Sequence, residues 1–181
     1  MFGKALQHIF SIITLPGIIV HEISHKFFCD IFDIPVKQVK YFIPFADITS
    51  STTAQLPKRF MTSYWIAIAP LIINSIVCVL FTLPYSIMFY YGTEFVSSTS
   101  RLFNICNGIL LWVGLSIGWH AIPSRSDLSN VIGSDESRSK KITLTTTKLL
   151  LYPFNSTGFF GRVFRLFYTS FLLRIVPILF F

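Results

Sequence analysis

The chain has 181 residues, 52% of them hydrophobic and only 13% charged, with a mean hydropathy of +0.64. That balance excludes an ordinary soluble domain and leaves an integral membrane protein, at a length that supports one compact helical unit. The net charge of +7 does not point to nucleic acid, because the Lys and Arg residues are spread over the loops between apolar stretches, as anchoring to anionic lipid requires.

The first apolar stretch covers residues 5–29, follows Lys4 and is interrupted only by Pro16 and Gly17. No small-residue cleavage pattern follows it, so it reads as a retained membrane helix, which Pro16 is predicted to kink about one turn before the histidines. Inside it stands His21-Glu22-Ile23-Ser24-His25. Positions four apart lie one above the other on a helix, so His21 and His25 can bind one divalent ion, with Glu22 about 100° round the helix at its edge. There a carboxylate can act on a metal-bound water without ligating the metal, as in zinc peptidases. A shuffled sequence of this composition would contain the spacing about 0.0014 times. The competing reading is a pair of helix histidines bonded to backbone, with Glu22 as an ion-pair partner; in an apolar segment it carries a heavy desolvation penalty.

Residues 33–59 are more polar. Val36, Val39, Tyr41 and Ile43, then Ile48 to Thr53, surround Pro44 and predict two short strands or a hairpin near the membrane surface. The second apolar stretch, residues 60–91, contains Pro70 and Pro84 and exceeds one crossing, so tilt, a kink or a protruding end is expected. Its Asn74 is an amide in a membrane helix and needs a partner, on another helix or at the site. A third stretch, residues 102–122, carries Gly108, Gly114, Ser116 and Gly118, which permit close helix contact.

That stretch runs into His120-Ala121-Ile122-Pro123-Ser124-Arg125-Ser126-Asp127, the second concentration of potential ligands. Residues 128–147 are the most polar in the chain, with 134–141 expected as a solvated loop and 142–154 suited to the membrane interface. Residues 159–181 would make a fourth span despite Arg162, Arg165 and Arg174. Cys29, Cys78 and Cys106 lie in apolar surroundings at no metal-ligand spacing and read as reduced, buried small hydrophobes. The expected fold is an all-α polytopic membrane protein with three to four transmembrane helices and a short membrane-proximal β-like hairpin, forming one domain over residues 1–181.

Loop charges set the expected orientation. Lys26, Lys37, Lys40, Lys58 and Arg59 lie between the first and second spans, whereas Arg101, offset by Glu94, stands alone between the second and third. Arg125, Arg138, Lys140, Lys141, Lys148, Arg162 and Arg165 follow the third. The positive-inside rule then puts the N-terminus outside and both ligand clusters at the cytoplasmic leaflet. Catalytic zinc needs a third protein ligand, and Asp127 is the first candidate for it, with His120 as the alternative.

These residues resemble the site-2 protease type of intramembrane zinc metalloprotease, in which an HExxH helix is paired with an aspartate at the end of a later membrane helix. The resemblance rests on His21 to His25 and on Asp127. It extends to Ala67-Ile68-Ala69-Pro70-Leu71-Ile72-Ile73-Asn74, similar to a Gly-Pro-x-x-Asn element with Ala69 in place of Gly and Asn74 one residue late. Leu128 follows Asp127 where the family usually has Gly. The segment from His120 to Asp127 is similar to a His-Ala-x-Pro-Ser-x-x-Asp signature of small prokaryotic membrane metalloproteases of this type, which implies a multi-pass protein of a prokaryotic plasma membrane. The resemblance implies a Zn²⁺ cofactor held by His21, His25 and Asp127, Glu22 as catalytic base, and a further metal or oxyanion role for His120 or Asn74. It also implies a membrane protein or peptide as substrate, received along the region from Val36 to Thr53. A metal-binding scaffold without proteolysis, and a zinc hydrolase of lipid-linked amides or esters, are the competing functions.

Overall fold

The computed structural model describes residues 9–40, 51–54, 59–91, 101–129, 131, 138–151 and 159–180, and the chain is mostly helical. Residues 9–13 are helical up to Thr14, and helix α1 (Leu15–Ile31) starts directly after it. Pro16 sits in the first turn of α1, where the N–H that proline lacks would have no helical partner. The expected kink is therefore a break and restart at Thr14. Helix α1 itself has 17 residues, about 25 Å, and begins within the interrupted span expected over residues 5–29. The preceding segment is held to the bundle by the Trp112 indole N–H, which donates to the Ile13 carbonyl at 3.1 Å.

After α1, Asp33 has a φ of 53°, a left-handed conformation that Asp tolerates better than most residues and that turns the chain away from the helix. Strands β1 (Val36–Lys40) and β2 (Ser51–Ala54) then pair antiparallel, with Gln38 opposite Thr53, Lys40 opposite Ser51 and an irregularity between Val36 and Gln38. This small sheet lies against α1. Tyr41, Ile43, Pro44 and Ile48 fall outside the described residues.

Helix α2 (Phe60–Tyr91) continues through both Pro70 and Pro84, and α3 (Arg101–Trp119) follows. Two helical stretches, Phe60–Phe89 of α2 and the whole of α3, are long and apolar enough to cross a membrane. Beyond them come the short helix α4 (Arg125–Ser129), α5 (Arg138–Leu151) and α6 (Phe159–Phe180). Helix α2 is the hub on which α1, α3 and α6 pack, and α3 also touches α1 and α6.

Small residues set these crossings. A Cβ on Gly114 or Gly118 would collide with Thr82 or Cys78 of α2, whereas Gly108 faces open space and takes no part in the contact. On α1, a Cβ on Gly17 would run into the backbone of Ser116, and the Gly17 N–H instead donates to Ser116 Oγ at 2.8 Å. The α1–α3 contact is thus fixed one turn ahead of His21.

Phe60 and Ala67 of α2 form a core cluster with Ile122, Leu128 and Val131. Leu128 is 2% and Val131 3% exposed, so the polar stretch after Asp127 begins with two buried apolar anchors; residues 134–137 of the expected solvated loop lie outside the described residues. Residues 138–141 open α5 instead of belonging to a loop, in keeping with the good helix propensity of Lys and Arg. Thr147 of α5 meets the Tyr64 hydroxyl at 2.9 Å, tying α5 to α2. All three cysteines are free, but only Cys29 and Cys78 are buried; Cys106 is exposed.

Candidate metal centre

Helix α1 stacks His21 over His25, with ring centroids 4.9 Å apart. Each ring is oriented by a main-chain carbonyl from a different part of the chain. The Nδ1–H of His21 donates to the His120 carbonyl at 2.7 Å, and the Nδ1–H of His25 donates to the Ile66 carbonyl at 2.8 Å. A carbonyl can only accept, so these bonds assign the proton of each neutral ring to Nδ1 and leave both Nε2 lone pairs bare. The two Nε2 atoms face one another at 3.3 Å.

Asp127 completes the group from α4. Its Oδ2 lies 3.6 Å from His21 Nε2 and its Oδ1 3.6 Å from His25 Nε2. The carboxylate is aimed by a reciprocal cap: the Ser124 N–H donates to Asp127 Oδ2 at 2.6 Å, and the Asp127 N–H donates to Ser124 Oγ at 3.1 Å. This is a capping-box arrangement with Asp as the acidic partner. Leu128, the neighbour of Asp127, is buried in the core cluster and pins the short helix against α2. The residue standing where the resembled family usually has Gly therefore anchors the ligand's helix here.

An ion held tetrahedrally by bonds of about 2.1 Å separates its donors by about 3.4 Å. The two nitrogens, 3.3 Å apart, match that frame, and the carboxylate straddles them, with Oδ2 3.6 Å from His21 Nε2 and Oδ1 3.6 Å from His25 Nε2. The three side chains are 13%, 9% and 19% exposed for His21, His25 and Asp127, so the group is recessed but reachable. Among the described residues this is the one set of three or more His, Cys, Asp or Glu side chains placed to hold a metal. Burial alone would raise the Asp127 carboxyl, but with protons on the Nε2 atoms the hydrogen bonds and charges of His21 and His25 outweigh it and hold the group well below the usual carboxylate range; a metal ion takes the place of those protons. Asp127 is thus an anion, and two bare imidazole nitrogens with a carboxylate make a donor set suited to zinc.

Glu22 is 4% exposed and lies within electrostatic reach of His25. The His120 ring is turned away from the group, with Nε2 3.0 Å from Thr14 Oγ1, and the residue serves the site through its carbonyl. Asn74 is fully buried. Its amide nitrogen donates to the same His120 carbonyl at 3.2 Å, and its oxygen lies 2.8 Å from the Ser24 hydroxyl. Ser24 is also 2.7 Å from the Val20 carbonyl, and its single proton serves one acceptor at a time. Asn74 therefore clamps α1, α2 and the end of α3 together behind the histidines.

Sequence reasoning did not single out Ser24, Ser124, Gly17 or the Ile66 carbonyl. Ser124 had a legible signal, the Ser-x-x-Asp spacing of a capping box. Ser24 had a weaker one, since it lies three residues from His21 and one from His25 and so shares their side of the helix. Comparison with known protein families, curated proteins and solved structures finds no match to the chain.

Proposed function

We propose that this chain is an intramembrane zinc metalloprotease that hydrolyses peptide bonds of membrane-embedded or membrane-adjacent substrates. The observation that carries the reading is the convergence of bare His21 Nε2, bare His25 Nε2 and the Asp127 carboxylate on one point, with buried Glu22 beside them. Metal-binding histidines characteristically donate their other ring N–H to a carbonyl or carboxylate, and both do so here.

In this reading His21, His25 and Asp127 would hold Zn²⁺, and three protein donors suit a catalytic site. When bound, the ion supplies a Lewis acid and a water whose pKa falls to about 7. Glu22 accepts a proton from the water and returns it to the departing amine. Asn74 and the His120 carbonyl keep the His21 ring in place throughout. Helices α2 and α3 cross the bilayer, and α1 with its preceding segment and α6 complete three to four spans. Outward-facing Phe89, Leu102 and Phe167, 71%, 71% and 69% exposed, suit contact with lipid. The loop charges favour the cytoplasmic leaflet for the site, and the family resemblance implies a prokaryotic plasma membrane. A helical substrate hides its peptide bonds, and the β1–β2 pair beside α1 offers a strand edge on which an extended segment can be held.

The test is hydrolysis of a panel of single-span membrane peptides, alongside lipid-linked amides and esters, by reconstituted wild-type protein and the Glu22→Gln variant. The expected result is peptide cleavage that falls by about 10²- to 10⁴-fold in the variant while its zinc content stays the same. Equal peptide cleavage by the two proteins, or turnover of the lipid substrates alone, would overturn the reading.

A further inference from the structure

Pro70 lies inside an unbroken helix made almost wholly of apolar residues, four positions after Ile66. In a regular helix the Ile66 carbonyl would accept the N–H of residue 70. Proline has no N–H, and its ring presses on the carbonyl four residues back, tilting it off the helix axis. The carbonyl so released is the one that takes the Nδ1–H of His25 at 2.8 Å. From these facts we infer that Pro70 is a positioning residue of the site: it withholds its own N–H so that α2 presents a free main-chain acceptor that fixes the orientation and tautomer of His25. The inference rests on the metal-site reading above.

The rest of the molecule supports the chemistry in two ways. The His120 carbonyl, which fixes the other histidine, lies just past the end of α3, where the last carbonyls of a helix have no helical partner. Both ring-fixing acceptors are therefore carbonyls that a helix cannot use, one released by a chain end and one by a proline. In α6, Pro177 stands four residues after Leu173, and the Leu173 carbonyl lies 2.6 Å from the Ser86 hydroxyl of α2, nearer than the Thr82 carbonyl at 3.0 Å that competes for the same proton. A carbonyl released by proline is thus taken by a neighbouring helix at a second, unrelated place in the bundle. Pro84 provides the control. It lies in the same helix, 14 residues further on and about 21 Å along the axis, and releases the carbonyl of Leu80, a residue 60% exposed on the outside of the bundle.

Pro70→Ala returns an N–H to the helix, draws the Ile66 carbonyl back toward the axis and leaves His25 with a competing donor. Alanine is the best helix former, so the variant is expected to fold. The experiment compares wild type, Pro70→Ala and Pro84→Ala in detergent by zinc affinity against a competing chelator. In parallel, ¹⁵N-histidine spectra of the metal-free proteins, at about pH 8.5 where imidazole is neutral, read the ring tautomers. The expected result is a zinc affinity lower by about 10- to 100-fold in Pro70→Ala, with His25 moved from the Nδ1–H form toward a mixture, and wild-type behaviour in Pro84→Ala. An unchanged His25 tautomer in Pro70→Ala, or an equal loss of affinity in Pro84→Ala, would overturn the inference. Absence of zinc binding by wild type would overturn the metal reading instead, and the tautomer spectra would still decide whether Pro70 orients the ring.

Discussion

Asn74 and Asn107 are both buried amides in apolar helices, 0% and 5% exposed, and they hold very different things. Asn74 reaches a hydroxyl on α1 and the His120 carbonyl beyond the end of α3, both strong hydrogen-bonding groups. Asn107 donates to the thioether of Met88 at 2.8 Å, a weak acceptor. The same contrast runs through the bundle. At the site end, Thr14, Gly17, Ser24, Asn74, Ser116, Ser124 and the two ring nitrogens are linked through polar contacts that fix one geometry. At the other end, α2 and α3 meet through Thr82, Phe81 and Met88, where packing carries most of the contact. Buried polar groups define a unique arrangement when every member is satisfied, at a cost that an apolar contact does not carry.

The largest effect is expected from removing a ligand at the polar end. His25→Ala deletes one of three donors, and zinc affinity should fall by about 1,000-fold or more, given that a full protein site contributes about 10–16 kcal/mol. Metal analysis after gel filtration measures it directly. Retention of one zinc per chain would remove His25 from the site.

Next comes Asn74→Leu. The variant keeps the volume but releases the His120 carbonyl from one of its two donors and Ser24 from one of its two acceptors. Ser24 can still turn to Val20, and the His120 carbonyl still has His21, so the expected stability loss is modest, about 1–3 kcal/mol. The mark on the site should be larger, about 10- to 100-fold in zinc affinity, because the His21 acceptor is no longer held. Chemical unfolding in mild detergent and chelator competition measure the two effects separately. A loss of stability with unchanged affinity would make Asn74 a plain helix clamp.

Legibility in the sequence follows the same division. His21 and His25 stand out in the sequence by their helical spacing, and the structure brings Asp127 to them. Asn74 was noticed as an amide in an apolar helix, but its partners come from α1 and from beyond α3, and no local pattern encodes which helices cross. Main-chain acceptors are harder still, because every residue has a carbonyl; only an interruption such as a proline or a helix end marks one that is free. The break at Thr14 was misplaced for a related reason: Pro16 restarts a helix as readily as it kinks one. The loop expected over residues 134–141 runs into α5 at Arg138, because a charged, serine-containing run suits an exposed helix end as well as a loop.

A smaller effect is expected at Ser124. Ser124→Ala removes the hydroxyl that caps α4 but leaves the Ser124 main-chain N–H, which still donates to Asp127 Oδ2. Half of the reciprocal cap survives, so the cost should be about 1 kcal/mol, appearing as about a fivefold weaker zinc affinity if it falls wholly on the orientation of Asp127. Titration with a metal-sensitive dye resolves that difference. A wild-type affinity would show that Leu128 alone positions the carboxylate.

The smallest effect is expected where the comparison began. Asn107→Leu exchanges an amide bonded to sulfur for a side chain of similar size that packs against Met88 and needs no partner. The lost bond is weak, the amide's desolvation penalty disappears and added apolar burial contributes in the opposite direction, so the net change should lie within about 1 kcal/mol of zero. Zinc affinity should be unchanged, because Asn107 is separated from Trp119, the last residue of α3, by 12 positions, about 18 Å of helix. Thermal unfolding in detergent together with chelator competition tests both halves. A stability loss as large as that of Asn74→Leu would mean that the far end depends on its polar bond as the site end does. A loss of zinc affinity without a loss of stability would mean that α3 transmits strain along its length to the His120 carbonyl, and the two ends would then have to be treated as one mechanical unit.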